Sequence, residues 1–194
     1  MKASIIGAGT WGTALGILLA HNGHEVTIWS KFQQEVDALQ ETHRHKNLPG
    51  AVIPESVRFT SNLESALKEQ ALVVLAVPSI FVRPTAHEMK SYVSEGQIIV
   101  SVAKGIEEGT LYTMSDIIEE EIPQADVAVL SGPSHAEEVS RFIPTSIVTG
   151  LKIICIMRIG TMVFAISSSS TVAPALLPSV RLMFVEPGLP EPCL

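Results

Sequence analysis

Three glycines in six residues constrain this chain more than any other feature. Gly7-Ala8-Gly9-Thr10-Trp11-Gly12 stands between the short apolar run Lys2–Ile6 and a stretch of helical period, Trp11–Asn22. A G-x-G-x-x-G pattern between a strand and a helix has a physical reading. The first glycine permits a tight turn, the second lets a pyrophosphate approach the backbone, and the third lets helix and strand pack closely. The free amides and dipole of the helix start then favour negative charge. A glycine turn that binds nothing is the plain alternative. The strand–turn–helix setting at the head of a βαβ pattern argues against it.

The rest of the chain to about residue 150 alternates strands and helices. Leu15, Leu18 and Leu19 form the apolar face of the first helix, which Asn22-Gly23 ends. The pattern predicts strands at Glu25–Trp29, Val57–Thr60, Leu72–Val77, Gln97–Val102, Asp126–Leu130 and Thr145–Thr149. It predicts helices at Lys31–Thr42, with Phe32, Val36 and Leu39 buried, from an Asn62 cap through Glu69, and at Phe81–Tyr92 with Pro84 in its first turn. Two more are expected at Thr110–Glu121 and Ser134–Arg141. Such alternation implies right-handed crossovers and a mainly parallel sheet with helices on both faces, a Rossmann-like α/β fold.

Composition excludes several classes. Aliphatic residues are plentiful and aromatics make up 5%, which suits a sheet buried on both sides. The formal net charge of -7 and the lack of a basic stripe argue against nucleic acid as a partner. Cys155 and Cys193 form no metal or disulfide pattern, so no metal is expected. The opening apolar run is broken by glycines and does not read as a signal peptide, so the expected setting is reducing and cytoplasmic.

Three further segments carry candidate chemistry. At the end of the second strand, Ile28-Trp29-Ser30-Lys31 has no carboxylate for the 2′-hydroxyl of NAD, and Lys31 could pair with a 2′-phosphate. NADP is therefore the favoured cofactor, with NAD the other; a solvated first-turn lysine is the plain reading of Lys31. Lys104 emerges from the buried run Ile98–Val102 at the strand's carboxyl end, where open α/β sheets bind ligands. It could donate to a substrate oxygen or a phosphate, although strand-end lysines are often merely solvated. Ser131-Gly132-Pro133-Ser134 follows another buried strand, and its serine and amides could meet a polar ligand or simply start a helix. His135 has no Ser/Asp partner to complete a relay and is read as a bystander.

Taken together, the motifs resemble the bacterial-type NAD(P)-dependent glycerol-3-phosphate dehydrogenase family. The matching pieces are Gly7–Ala14, Asn47-Leu48-Pro49-Gly50, Ala76-Val77-Pro78-Ser79, Ala103–Glu107, Leu130–Ser134, Ala136–Val139 and Pro144-Thr145, in order and spacing over residues 1 to about 150. The resemblance implies an enzyme: reversible hydride transfer between glycerol 3-phosphate and dihydroxyacetone phosphate with NAD(P), feeding glycerophospholipid synthesis. To the fingerprint's own cofactor contacts from Gly7, Gly9 and Gly12 it adds Thr10, Trp11, Lys31 and Ala136. It gives Lys104 to both cofactor and substrate, with a catalytic part, and Gly132 and Ser134 to substrate. No membrane span is expected, and a homodimer is one assembly that this reading allows. Asn47 departs from the family, which often carries an aromatic there.

The expected domain division is a cofactor-binding domain over 1–150 and an atypical tail over 151–194. The family continues with a helical domain that supplies a second lysine as general base and an asparagine- and arginine-containing segment for the substrate phosphate. Here Lys152, Arg158, Arg181, Glu186 and Glu191 are the only charged residues after 150, and asparagine is absent. No second lysine maps. Ser167–Ser170 and five prolines from Pro174 onward break any helical period. A frameshift near Gly150, or a truncation with an unrelated tail, is the expected origin. Ile159–Val180 is uncharged and long enough to cross a bilayer, but its serines and prolines speak against a span. Two other readings are a non-catalytic nucleotide-binding fragment and another hydroxyacid or sugar-nucleotide dehydrogenase of the same sheet. The Ala103–Glu107 and Ser131–Ser134 motifs disfavour the latter.

Overall fold

The computed structural model describes residues 1–145 and 147–151, and within 148–151 the backbone alone. Among the described residues seven strands alternate with helices: β1 (Lys2–Ile6), α1 (Thr10–His21), β2 (Glu25–Trp29), α2 (Gln33–Thr42), β3 (Arg58–Thr60), α3 (Leu63–Leu67), β4 (Leu72–Leu75), α4 (Val82–Met89), β5 (Ile98–Ser101), α5 (Met114–Glu121), β6 (Asp126–Ser131), α6 (Ala136–Val139) and β7 (Val148–Leu151). The sheet order is β3-β2-β1-β4-β5-β6-β7. Six strands run parallel and β7 joins β6 antiparallel. The expected Rossmann-like α/β architecture is therefore the observed one. From β1 the chain winds outward through β2 and β3, then returns to β4 on the other side. That reversal opens a crevice at the carboxyl ends of β1 and β4, where such sheets take ligands.

Strand side chains alternate between the sheet's two faces, so each strand feeds two cores. Ile5 packs with Leu15 and Leu18 of α1, Leu39 of α2 and Ile28 of β2. Ile6 packs on the opposite side with Leu75, Ile99, Met89 of α4 and Ile117 and Ile118 of α5. β5 shows the alternation most clearly: Ile98 and Val100 contact the first core and Ile99 the second. Burial of each such side chain contributes about 1.5–3 kcal/mol.

Several boundaries differ from the sequence expectation, each for a local reason. Asn62 does cap α3, its side chain accepting from the Ser65 amide at 2.8 Å, but the helix stops at Leu67 and not Glu69. The helix expected from Thr110 begins at Met114. Leu111 sits at φ 60 and Gly109 at φ 94, left-handed values that no α-helix contains, and Thr113 with Asp116 builds the capping box that starts α5. α2 begins at Gln33, and Phe32 is its N-cap, 69% exposed, not part of the buried stripe formed by Val36 and Leu39. α6 is one turn, Ala136–Val139, because the chain bends at Phe142, φ 59. The last strand falls at Val148–Leu151, three residues beyond its expected start. The proposed tail, its charge-free stretch Ile159–Val180 and the question of its origin lie outside the described residues. No helix among the described residues is long and apolar enough to cross a membrane.

This packing gives a direct expectation for stability. Leu75 is fully buried, so Leu75→Ala should lower the unfolding free energy in urea by about 2–5 kcal/mol. Ile80 is 76% exposed, so Ile80→Ala should change it by no more than about 0.5 kcal/mol. Equal losses at the two positions would contradict the described core.

Candidate functional site

The glycine turn is built by close backbone contacts. Gly7 lies at φ 123, and a Cβ there would sit 2.6 Å from the Ala76 carbonyl oxygen at the end of β4. A Cβ on Gly12 would sit 2.1 Å from the Gly7 carbonyl. These two glycines are required by the fold itself. Gly9 differs: among the described residues, its chain neighbours apart, no atom lies within 4 Å of where its Cβ would be, and its backbone is extended at φ -66, ψ 175. Among the described residues nothing excludes a side chain at Gly9, so its glycine is not explained by packing and the space beside it is a candidate ligand site. Gly9 is also the N-cap of α1 and has no side chain to satisfy the helix's free amides. Thr10 and Trp11, partly exposed, begin α1 beside that space. These features fit the diphosphate of a dinucleotide.

The turn is braced from within the protein. Thr13 Oγ1 donates to the Ala8 carbonyl at 3.2 Å. His45, 6% exposed, also interacts with that carbonyl, and its Nδ1 accepts from the Asn47 amide at 3.2 Å. Burial pushes the His45 imidazole below the ordinary histidine range; Glu35 opposes the shift, Lys46 adds to it, and the Ala8 carbonyl opposes it. Sequence reading missed His45, since a buried histidine in a polar loop carries no spacing signal.

At the carboxyl end of β5, Lys104 and the Ser131–Ser134 turn come together. Lys104 is exposed, and its Nζ donates to the Gly132 carbonyl at 3.1 Å. Gly132 adopts φ 142, a backbone that favours glycine, and turns β6 toward α6. Ser134 is partly buried and Ala136 opens α6. Gly105, at φ 125, approaches the side chain of Ser79 after β4. The two strand-end motifs thus share one edge of the sheet with the glycine turn. His135 is exposed and caps α6 with backbone only, so it gains no relay partner here.

The Lys104 loop is held by an ion pair that the sequence did not reveal. Arg83, in the first turn of α4, donates to both oxygens of Glu107 through Nε and Nη2, each at 2.7 Å. Its Nη1 reaches Glu120 and Glu121 of α5 at 2.8 Å, and His87 Nδ1 lies 3.0 Å from Glu121. A bidentate arginine fork fixes geometry as well as charge. The Arg83 guanidinium, with help from the Thr110 hydroxyl, holds the Glu107 carboxyl down to about 2, and the carboxylates raise Arg83 in turn. Lys31, by contrast, is exposed and pairs with Glu88 of α4 at 2.9 Å. Among the described residues, no group of acidic, histidine or cysteine side chains could hold a metal.

The histidine under the turn predicts a pH dependence. A folded-state value below 6.5 means that the unfolded chain binds more protons as pH falls through that point. The His45 contribution is therefore full above about pH 6.5 and declines below it. His24 shifts in the same direction, so the test is the difference between proteins. His45→Asn should flatten the loss of stability between about pH 6.5 and 5 in urea unfolding, relative to the parent chain. Parallel curves would refute the assignment. The Arg83–Glu107 pair should remain intact across that range, because Glu107 gives up its charge only near about 2.

Comparison with known proteins agrees with this geometry. A sequence model described as the NAD-dependent glycerol-3-phosphate dehydrogenase N-terminus matches residues 2–154. A glycerol-3-phosphate dehydrogenase [NAD(P)+] of Agathobacter rectalis is 56% identical over 152 residues, which cover 78% of this chain and 45% of that protein. One from Fusobacterium nucleatum is 50% identical over 151 residues, covering 76% of this chain and 45% of that protein. The crystal structure of glycerol-3-phosphate dehydrogenase from Coxiella burnetii superposes with a TM-score of 0.75 at 29% identity, covering 81% of this chain and 48% of that one. The chain spans about half the length of the curated relatives it matches. With its glycine turn, its Lys104 loop and its Ser131–Ser134 turn on one edge of the sheet, the chain belongs to the family of NAD-dependent glycerol-3-phosphate dehydrogenase N-terminal domains.

Proposed function

We propose that residues 1–151 form the cofactor-binding part of an enzyme that moves a hydride between sn-glycerol 3-phosphate and dihydroxyacetone phosphate, supplying glycerophospholipid synthesis. The observation that carries this reading is the contact of Lys104 Nζ with the Gly132 carbonyl at 3.1 Å. It joins the two strand-end motifs beside a turn suited to a diphosphate. NAD or NADP supplies the hydride chemistry when bound. The chain's own residues bind and orient. The amides after Gly9, with Thr10 and Trp11, hold the diphosphate; Lys31 and Ala136 add cofactor contacts. Lys104 reaches both cofactor and substrate oxygens, and Gly132 and Ser134 meet the substrate. A cytoplasmic setting and self-association into a homodimer belong to the same reading.

Catalysis needs more than this sheet edge. A positioned general base contributes about 10²–10⁴ in rate, and Lys104 is the one lysine among the candidate substrate contacts Lys104, Gly132 and Ser134. The 194-residue chain alone should therefore bind cofactor and turn over substrate at least about 100-fold below a full-length relative. Family-like rates in a coupled assay would contradict this. Binding without turnover favours the second reading, a nucleotide-binding fragment.

Two glycine variants separate fold from site. Gly9→Val should lower thermal stability far less than Gly12→Val, by no more than the loss of a glycine N-cap, since no described atom beyond its chain neighbours lies within 4 Å of its Cβ. It should weaken NADH or NADPH binding at least about tenfold, or 1.4 kcal/mol, by occupying the diphosphate's space. Gly12→Val should destabilise the protein itself, because its Cβ would meet the Gly7 carbonyl at 2.1 Å. Fluorescence titration through Trp11 measures the first effect and thermal melting the second. Unaltered binding by Gly9→Val would place the diphosphate elsewhere.

A further inference from the structure

The end of β2 carries no acid in sequence, yet the fold brings one there. Ser30 follows β2 and is 3% exposed. Its Oγ accepts from the Phe32 amide at 3.2 Å and donates to Glu35 Oε2 at 2.5 Å. A serine hydroxyl has one proton, so the Glu35 carboxylate is the acceptor in that bond. Glu35 thus returns from the first turn of α2 to the place where the dinucleotide fold commonly carries an Asp or Glu for the ribose. The helix start there favours negative charge. A carboxylate offers about four lone-pair sites, and Ser30 uses one. Glu35 also lines a groove of about 880 Å3 between α2 and residues 44–51, with His45 on the same lining.

The cation expected to oppose it is engaged elsewhere. Lys31 Nζ lies 2.9 Å from Glu88 Oε1, with both side chains roughly half exposed or more. Such a pair is weak and offers little resistance to release, but it lowers the positive charge available at the strand end. Arg44 and Lys46 line the same groove as Glu35.

We propose that Glu35 selects the cofactor: held by Ser30, its carboxylate accepts from the 2′- and 3′-hydroxyls of the adenosine ribose and repels a 2′-phosphate. The chain therefore prefers NAD over NADP, the reverse of what Lys31 suggests when the sequence is read alone. This inference rests on the dinucleotide reading above, and the experiment keeps the two apart.

NADH and NADPH are titrated separately against the full 194-residue chain and its variants, with thermal melting as the control for folding. The parent should bind NADH more tightly. Glu35→Gln, nearly the same shape without the charge, should shift the ratio of the two dissociation constants toward NADPH by about tenfold or more. Ser30→Ala, which frees the carboxylate without removing it, should shift the ratio the same way by less; it also serves if Glu35→Gln fails to fold. Lys31→Met should weaken NADPH alone. If both nucleotides bind and neither Glu35→Gln nor Ser30→Ala moves the ratio, Glu35 is not the selector and the dinucleotide reading stands. If the parent binds neither nucleotide, the dinucleotide reading falls and takes this inference with it.

Discussion

The close approach of the first turn to the end of β4 is the constraint on which the site depends. Gly7 sits against the Ala76 carbonyl, and Gly12 against the Gly7 carbonyl, at separations no side chain tolerates. Those contacts draw α1 hard onto the sheet and leave its first amides facing outward. Gly9 has no such neighbour. Three glycines in one motif therefore do two different jobs: two permit the fold, and one leaves space for what binds. A diphosphate needs both, because bare amides attract it only when the backbone can be reached.

The sheet order converts this local geometry into a site. Winding outward from β1 and then back to β4 places the carboxyl ends of β1, β4, β5 and β6 along one edge. Lys104 and Gly132 are 28 residues apart in sequence and in hydrogen-bond contact there. The bidentate Arg83–Glu107 pair ties the segment after Lys104 to the first turn of α4. The loop that carries Lys104 is thus anchored by charge-assisted bonds to a helix and not left to its own conformational freedom.

The periodic part of the fold was legible from residues alone. The β2 limits, the Asn62 cap, the alternation of strands and helices and the glycine turn follow from side-chain period, cap chemistry and turn residues. What was hidden depends on distance in sequence or on backbone conformations that composition does not mark. Leu111 at φ 60 gives no warning of the late start of α5, while Thr113 and Asp116 held the usable signal, a capping box. Phe32 fits a helical stripe by spacing, but the helix begins one residue later and leaves it outside. Glu35 was overlooked because the rule for the ribose acid looks at the strand end, and this carboxylate arrives by folding back over five residues to Ser30. Arg83 meets Glu107, Glu120 and Glu121, and His45 the Ala8 carbonyl, partners that no local pattern links to them.

The central claim is that a dinucleotide's diphosphate rests on the amides at the start of α1. Nitrogen–proton correlation spectra of the labelled chain, recorded with and without NADH, test it most directly. The account predicts that the largest amide shifts fall on Gly9, Thr10, Trp11 and Gly12, with lesser changes at Lys104 and Gly132. Shifts confined to other parts of the sheet, with those amides unmoved at saturating NADH, would contradict it.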